Sequence, residues 1–374
     1  MRKDSGTLTV RKIRIYTYTL SLLSKMRVVL FCEHKYAVTI LLPLQEEANK
    51  TSKHEILWFV DARNIPDFPL KNEVRWTNSI QETYNFSPEA IFVPGNIVPY
   101  YLPGVKAEIF HGYAAEKKDH WVIRRYLDMY LTQGPFFTKP FEQLAQNYGD
   151  FEVVETGWPR QDWIFNNLHT FDNYREGLLT KYKKSKIVLY APTFSPSLTS
   201  LPYIKEDIKK LADRKDAVIL LKFHPLTKKE WVDEYKALAK EVDNILWIED
   251  QNISKYILAS DMMISDTSSA VYEFLLLDKP VITLNNVAKD KYWLDIDTPD
   301  KLNWAYDTVL SSDEYKAKRK WIIDNYDPYL DGKVAKRMFT AVEDYIARHG
   351  VPKYRKLNLW RKYQSVKKFG KVKK

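Results

Sequence analysis

The sequence is poor in the residues that mark several common classes of protein. Its 374 residues contain one cysteine, Cys32, so an internal disulfide framework is excluded, and this cysteine usage fits a reducing compartment. Only 11 glycines are present, which argues against collagen-like or low-complexity sequence. No stretch reaches the ~18 consecutive apolar residues of a membrane-spanning helix. A hydrophobic content of 45% instead indicates a folded chain with substantial cores.

Several motifs that identify catalytic classes are also missing. The sequence has no GxxxxGK[ST] or GxGxxG loop, no HExxH or CxxC, and no GxSxG. It has no cluster of histidine and cysteine, so no metal site is predicted. Asp261 and Asp266 are too far apart in the chain to form a DxD pair for a metal-bound nucleotide. We therefore expect neither a metal nor a cofactor.

Strand-like and helix-like segments alternate along most of the chain, which predicts βα units and parallel sheets. Strands are predicted at 27–32, 55–60, 90–93, 107–110, 151–156, 186–191, 217–223, 245–249, 262–266 and 281–284. Helices are predicted at 37–49, 121–130, 231–241 and 253–259, among other segments. The pattern indicates an α/β protein with two Rossmann-like domains, 26–165 and 166–345, facing across a cleft. A basic N-terminal extension (1–25) precedes them, and a basic, aromatic tail (346–374) follows.

The stretch from 261 to 284 carries the strongest local signal. A buried strand ends at Asp266, a hydroxyl cluster containing Ser268 and Ser269 follows, and then a short helix leads to another buried strand. Hydroxyls and free backbone N–H groups at a helix N-terminus favour a phosphate. Glu273, one helical turn further on, is placed to reach a ribose hydroxyl. The alternative is an ordinary N-cap, since Asp, Ser and Thr begin many helices.

Other polar residues follow predicted strands and should lie at the same edges of the sheets. His111 ends a strand before a glycine and is a candidate general base, although a lone histidine is often structural. His224 is a candidate hydrogen-bond donor to a phosphate oxygen, or else a loop histidine without such a role. Lys222 would add positive charge beside it, and Thr193 belongs to a polar loop after a strand.

Together these segments resemble a known family, the CDP-glycerol glycerophosphotransferases of teichoic-acid and capsule synthesis. The resemblance rests on six motifs in the family's order: His111-Gly112, Gly157-Trp158-Pro159-Arg160, Leu189-Tyr190-Ala191-Pro192-Thr193-Phe194, Lys222-Phe223-His224-Pro225, Ser265-Asp266-Thr267-Ser268-Ser269 and Asp331-Gly332-Lys333. It covers residues 90 to 345. The resemblance implies a membrane-peripheral transferase of glycosyltransferase-B architecture that uses a CDP-activated donor.

The resemblance also implies roles for individual residues. His111 would be the general base, and His224 with Ser268 and Ser269 would hold the donor pyrophosphate. Glu273 would lie near the ribose, and attack on the phosphorus next to the polyol would release CMP. Glu273 stands where the family usually has Asp. A carboxylate at this place, with a hydroxyl turn before it, also resembles the donor site of sugar-nucleotide glycosyltransferases of the same architecture. A nucleotide-sugar-dependent glycosyltransferase is therefore the alternative enzyme.

The net charge is +10, and the excess is concentrated at the C-terminal end. From Lys353 to Lys374 the chain has ten Lys or Arg and no acid, interleaved with aromatic residues. Such a tail favours an anionic membrane surface, which suggests a cytoplasmic enzyme at the inner face of the membrane acting on a lipid-linked or glycan acceptor. Nucleic acid is a rival partner that we do not expect, and a merely solvated, partly disordered tail is a further alternative. A non-enzymatic protein that binds anionic polymers is the third functional hypothesis.

Overall fold

The computed structural model describes residues 25–113, 118–214, 216–250 and 253–373, and the predicted extension up to residue 24 lies outside them. The first sheet has seven parallel strands in the order β3-β2-β1-β4-β5-β6-β7. These strands are β1 Met26–Cys32, β2 His54–Val60, β3 Trp76–Thr77, β4 Ala90–Val93, β5 Val105–Glu108, β6 Met129–Thr132 and β7 Glu152–Glu155. Helices α1 Ala37–Thr51, α2 Ile80–Asn85 and α3 Pro135–Tyr148 connect them, with a 3-10 turn at Lys118–Trp121.

The second sheet has six parallel strands in the order β10-β9-β8-β11-β12-β13. They are β8 Lys186–Tyr190, β9 Ala217–Leu221, β10 Ile245–Trp247, β11 Met262–Ser265, β12 Val281–Leu284 and β13 Leu294–Ile296. The helices of this half are α4 Arg160–Asn166, α5 Asp172–Tyr182, α6 Leu201–Ala212, α7 Lys229–Glu241, α8 Ile253–Ala259, α9 Ala270–Leu275, α10 Leu302–Ser311 and α11 Lys316–Tyr326. The prediction of two parallel-sheet α/β domains is confirmed.

Strands β4 and β9 are apolar along their whole length, as is typical of parallel strands covered on both faces. All five residues of β9 are fully buried, as are the last five of β1. Strand order reverses between β1 and β4 in the first sheet and between β8 and β11 in the second. Ligands of open α/β sheets bind at such reversals, beyond the carboxyl ends of the strands.

The predicted helix at 121–130 is wrong. Ile123, Tyr126 and Leu127 have helical spacing and are buried, but the chain between them turns, and Arg125 has a φ of +60°. Strand β6 then begins at Met129 and pairs with β5 and β7. The apolar residues pack into the core of the first sheet from a loop, so their spacing does not reflect a helix.

The C-terminal part of the chain returns to the first sheet. Helix α12, Val334–His349, receives a cap from Asp162, whose carboxylate accepts hydrogen bonds from the N–H groups of Val334 and Ala335 at 2.8 Å each. On this helix Phe339 stacks on His54, with ring centroids 4.1 Å apart. The domain boundaries at 165 and 345 stay predictions, since α12 also packs with residues of the first sheet.

The basic tail is folded and docked. Helix α13, Leu359–Phe369, buries Phe369 against Phe31 of β1, with centroids 5.6 Å apart. Just before the helix, Arg355 donates to both carboxylate oxygens of Asp128, at 2.8 and 2.5 Å. The alternative of a partly disordered, merely solvated tail is therefore wrong for the described residues. Within those residues, no helix combines the length and the apolar character needed to cross a membrane.

Candidate active site

His111 lies on a strained turn at the carboxyl end of β5. Phe110, immediately before it, has a φ of +59°, and Gly112 has a φ of +142°. A bulky residue rarely adopts a positive φ, and it persists here because the Phe110 ring is buried between His120 and Phe141. The turn leaves His111 exposed at the edge of the sheet.

The hydrogen bond of His111 fixes its tautomer. Its Nδ1 lies 3.1 Å from the carbonyl oxygen of Pro94, which follows β4. A carbonyl oxygen only accepts, so Nδ1 carries the proton and Nε2 of the neutral ring carries the lone pair. The ring of Tyr36 lies 5.5 Å away, centroid to centroid. This arrangement suits a general base acting through Nε2.

His224 follows β9 and has the opposite tautomer. Its Nδ1 accepts a hydrogen bond from the N–H of Leu226 at 3.1 Å, so the proton of the neutral ring is on Nε2. Partial burial lowers the pKa of His224, and the nearby Lys222 ammonium lowers it further. The ring stacks on Phe194 at 4.4 Å between centroids. Nε2–H is therefore a neutral donor at a strand end, which suits a phosphate oxygen.

Asp266 ties the loop after β8 to the end of β11. Its carboxylate accepts hydrogen bonds from the N–H groups of Thr193 and Ser200 at 2.8 Å and from the Ser200 hydroxyl at 2.9 Å. Complete burial raises the pKa of Asp266 to about 6, and these donors oppose the rise. The predicted site residue Thr193 is thus brought beside the hydroxyl turn that follows β11.

The hydroxyl turn itself begins the six-residue helix α9. The Thr267 hydroxyl accepts from the N–H of Val287 at 3.2 Å, and the Ser268 hydroxyl accepts from the N–H of Ala270 at 3.3 Å. Ser269 is exposed and occupies the N-cap position without a side-chain cap. Both serines lie where the sequence predicts them, at the carboxyl edge of the second sheet.

The structure modifies the expectations for Glu273 and Lys222. Glu273 is mostly buried and forms an ion pair with Arg160 at 3.2 Å; burial raises its pKa, and Arg160 opposes the rise. Lys222 is also buried, and its Nζ donates to the carbonyl oxygen of Phe223 at 3.0 Å. Burial lowers the pKa of Lys222. Its ammonium group is turned onto the backbone rather than presented at the strand end, where the sequence predicts it.

A buried network that the sequence analysis missed holds the His111 turn in place. The Tyr113 hydroxyl donates to the carboxylate of Asp327 at 2.7 Å and accepts from the Gln161 amide at 2.9 Å. The N–H of Trp158 donates to the same Asp327 oxygen at 2.9 Å. Burial raises the pKa of Asp327 to about 7. Tyr113 and Asp327 are 214 residues apart, so no local pattern indicates this contact.

The segment 157–160 joins the two halves of the site. Gly157 has a φ of +88°, and a Cβ there would lie 2.8 Å from Cβ of Tyr329, so only glycine fits without a shift. Trp158 next to it donates from Nε1 to the carbonyl oxygen of Phe110 at 3.4 Å, and Arg160 reaches Glu273. The His111 turn and helix α9 are thereby connected. No group of three or more potential metal-ligating side chains occurs in the described parts of the chain.

Comparison with known families agrees with this geometry. The model of the CDP-glycerol:poly(glycerophosphate) glycerophosphotransferase family matches residues 104–292, half of the chain. The chain belongs to this family. The matched span runs from before His111 to beyond Glu273, so it includes every predicted site residue. The family assignment made from the sequence motifs is confirmed.

The chain resembles several teichoic-acid enzymes of the family. It is 26% identical over 239 residues to a teichoic acid ribitol-phosphate polymerase of Staphylococcus aureus, which covers 58% of this chain and 41% of that protein. It is 28% identical over 165 residues to a teichoic acid glycerol-phosphate transferase of the same organism, covering 41% of this chain and 40% of that one. The match thus covers less than half of each of these two relatives.

Solved structures share the fold. The wall teichoic acid polymerase TagF superposes with a TM-score of 0.60 and 18% identity, covering 91% of this chain and 97% of that one. The UDP-GlcNAc 2-epimerase of Neisseria meningitidis superposes with a TM-score of 0.61 and 14% identity, covering 85% of this chain and all of that one. At these identities the likeness establishes the fold alone. The predicted glycosyltransferase-B architecture is confirmed.

Proposed function

We propose that the chain transfers glycerol phosphate, or a related polyol phosphate, from a CDP-activated donor to a hydroxyl of a lipid-linked or glycan acceptor, releasing CMP. The observation that carries the proposal is the pair of histidines in opposite tautomers at strand ends of the two sheets. His111 offers a lone pair, and His224 offers an N–H. A phosphoryl transfer from a diphosphate needs both, one for the attacking hydroxyl and one for the charge that develops on phosphate.

In the proposed reaction the acceptor binds at the first sheet and the donor at the second. Nε2 of His111 removes the proton from the acceptor hydroxyl as its oxygen attacks the phosphorus that bears the polyol. The bond between this phosphorus and the bridging oxygen of the diphosphate breaks, and CMP leaves with the electron pair. The imidazolium of His111 then returns the proton to solvent or to the CMP phosphate.

The second sheet supplies the groups that stabilise the donor. Nε2–H of His224 donates to a phosphate oxygen, and Ser268 and Ser269 add hydroxyls at the end of β11. The loop that contains Thr193 is held in place by Asp266, so its backbone is preorganised beside these hydroxyls. The carboxylate of Glu273 lies one turn along, neutralised by Arg160, and its place near the ribose is part of the proposal.

The relatives support the polymer class of this proposal. The family description names glycerophosphate, and the related proteins act on ribitol phosphate or glycerol phosphate. We therefore extend the proposal to CDP-glycerol and CDP-ribitol as donors in the synthesis of a cell-surface polymer. Peripheral attachment to the inner face of the membrane through α13 completes the proposal. The exposed residues Leu359, Trp360 and Tyr363 support this attachment because they form an apolar patch on a basic helix.

A panel of donors tests the proposed function. CDP-glycerol, CDP-ribitol, and UDP- and GDP-sugars are each incubated with the full-length chain and a membrane extract, and products are analysed by mass spectrometry. We expect CMP release from a CDP-polyol and a product heavier by one polyol phosphate. Turnover with a nucleotide-sugar alone would reassign the chain to the glycosyltransferases. Absence of turnover, with steeply salt-dependent binding of anionic polymers, would favour a binding protein.

A further inference from the structure

A small polar pocket lies next to His111 at the edge of the first sheet. Among the predicted site residues, His111 alone lines it. It has a volume of about 130 Å³ and lies at the reversal of strand order between β1 and β4. Its polar lining comprises Glu33, His34, Tyr36, Asn96, His111 and Lys368. Drug-sized ligands occupy sites of ~300–1,000 Å³, so this pocket suits one small polar unit.

Lys368 comes from helix α13, far outside the matched family span of 104–292. Contacts of Phe369 and of the Lys368 backbone hold this part of α13 in place. The neighbouring Phe369 is buried against Phe31, and Arg63 donates from Nη1 to the Lys368 carbonyl oxygen at 3.0 Å. The Lys368 ammonium contacts the carboxylate of Glu33, which is mostly buried, while the Lys368 side chain is 36% exposed. The pair therefore presents a hydrogen-bond acceptor and a cation side by side.

A second pocket shares Lys368 with the first as a lining residue. It has a volume of about 460 Å³, and its polar lining comprises Asp61, Arg63, Asn78 and Lys368, with Arg63 paired to the Asp61 carboxylate. The two pockets follow the carboxyl edge of the first sheet from β5 past β1 to β2. Lys368 lines both pockets, so it lies between the pocket that contains His111 and the second pocket.

We propose that Glu33 and Lys368 form a binding subsite for the acceptor, a chain of polyol phosphates. This inference rests on the proposed function and names the acceptor chemistry of the same site. The Glu33 carboxylate accepts a hydrogen bond from a hydroxyl of the terminal polyol, whose reacting hydroxyl faces His111. The Lys368 ammonium binds the phosphodiester behind that unit, and the next unit lies in the second pocket. Hydroxyl groups and phosphodiester anions alternate along a polyol phosphate chain, so the acceptor Glu33 and the cation Lys368 can bind neighbouring groups of it.

Binding of a synthetic glycerol phosphate trimer, measured by isothermal titration calorimetry on the full-length chain, tests the subsite. We expect Lys368→Gln to weaken trimer binding about 10-fold, the loss of one charge-assisted hydrogen bond, and to leave CDP binding unchanged. Lys368→Arg should restore most of the trimer affinity. Lys367→Gln, one residue away on the exposed side of α13, is the matched control and should bind the trimer as the unmodified chain does.

Several results would overturn the subsite. These are equal trimer affinity in Lys368→Gln and Lys367→Gln, no binding of the trimer by the unmodified chain at millimolar concentration, or inorganic phosphate binding as tightly as the trimer. The test is independent of turnover. If no CDP-polyol is consumed but trimer binding depends on Lys368, the proposed function fails and the subsite stands.

Discussion

At the scale of single residues, one backbone contact decides what each histidine can do. The Pro94 carbonyl keeps the proton of His111 on Nδ1, and the Leu226 N–H keeps the proton of His224 on Nε2. Neither contact involves an ionisable group, so the assignment holds wherever the rings are neutral. Two residues of the same type thus present different groups at their strand ends, a lone pair on His111 and an N–H on His224.

Replacing His111 by Asn tests its role as base. Asn keeps a donor toward the Pro94 carbonyl but has no basic nitrogen, so we expect kcat to fall by ~10²–10⁴-fold while donor binding is retained. Single-turnover kinetics and equilibrium binding of CDP measure the two effects separately. His169→Asn, at an exposed position between α4 and α5, is the control. Unchanged kcat in His111→Asn would remove this residue as the base.

Asp327 makes the stability of the chain depend on pH. Its pKa is about 7 in the folded chain, against an ordinary value of 3.8, so folded molecules keep a proton that unfolded molecules release between these values. The stability contributed by this proton is complete below pH 4 and is lost as pH rises through 7. We expect the unmodified chain to lose stability relative to Asp327→Asn by at most ~1.4 kcal/mol per pH unit over this interval.

Denaturant unfolding of both chains at pH 5, 6, 7 and 8 measures this dependence. Asp327→Asn is expected to be less stable at low pH, because its amide cannot accept from Tyr113, Trp158 and Tyr329 together. The informative quantity is the difference in unfolding free energy between the two chains at each pH. A difference that does not change from pH 5 to pH 8 would contradict the raised pKa of Asp327.

Candidate residues were predictable from their positions after strands, but their orientations were not. His111, His224, Ser268 and Ser269 lie at the edges where the sequence puts them. Lys222 is also at its predicted position, but its side chain turns back to the Phe223 carbonyl. The direction of a long side chain depends on partners distant in sequence. The same limit explains why Asp327 and Lys368 were missed.

At the scale of elements, the hydroxyl turn combines three features of the second sheet. Strand β11, which precedes the turn, lies in the interior of the second sheet. Asp266 anchors the loop after β8, and helix α9 begins directly at Ala270. Two serine hydroxyls are therefore held on a short connection between rigid elements. This placement favours precise contact with a phosphate group.

The double substitution Ser268→Ala with Ser269→Ala tests the turn. Removing the two hydroxyls proposed to bind the donor should raise the donor KM roughly 10-fold and change kcat less, since each neutral hydrogen bond contributes ~0.5–1.5 kcal/mol. Steady-state kinetics at varied donor concentration give both constants. Ser311→Ala with Ser312→Ala, at the exposed end of α10, is the matched control. A donor KM equal to that of the control would exclude the serines from donor binding.

The sequence predicts elements best where burial is complete. Strand β12 has the predicted bounds, because a short, fully buried run between turn residues leaves few alternatives. Helix α8 also has the predicted bounds, although Ser254 and Lys255 interrupt its apolar residues. The short strands β3, β6 and β13 were missed. Each has two to four residues and is defined by its neighbours in the sheet. Where tertiary packing determines the conformation, as at 121–130, local spacing misleads.

At the scale of the whole molecule, the chain crosses between its two sheets twice. It leaves the first sheet through the segment 157–160 and returns through α12, which Asp162 caps. Asp327, just before α12, contacts both the His111 turn and Trp158. The geometry of the His111 turn therefore depends on contacts with residues of the second half.

Helix α13 has one side packed on the first domain and an opposite side exposed to solvent. One side of the helix is docked, while Leu359, Trp360 and Tyr363 are 83%, 64% and 54% exposed on the other. Changing these three residues to Ser should weaken binding to anionic vesicles at least ~10-fold without unfolding the helix, because they contribute little to its docking. Vesicle co-sedimentation measures the effect, with Tyr203→Ser as a control for an exposed aromatic elsewhere. Undiminished binding would contradict the proposed membrane contact through this side of α13.

The central claim is that the transferred unit includes a phosphorus atom of the donor. CDP-glycerol labelled with ³²P at the phosphate next to glycerol distinguishes transfer of glycerol phosphate from transfer of glycerol alone. CDP-ribitol is labelled in the same way. The account predicts that the label appears in the acceptor product and that the released nucleotide is unlabelled CMP. Label recovered in CDP, with unlabelled polyol on the acceptor, would contradict it.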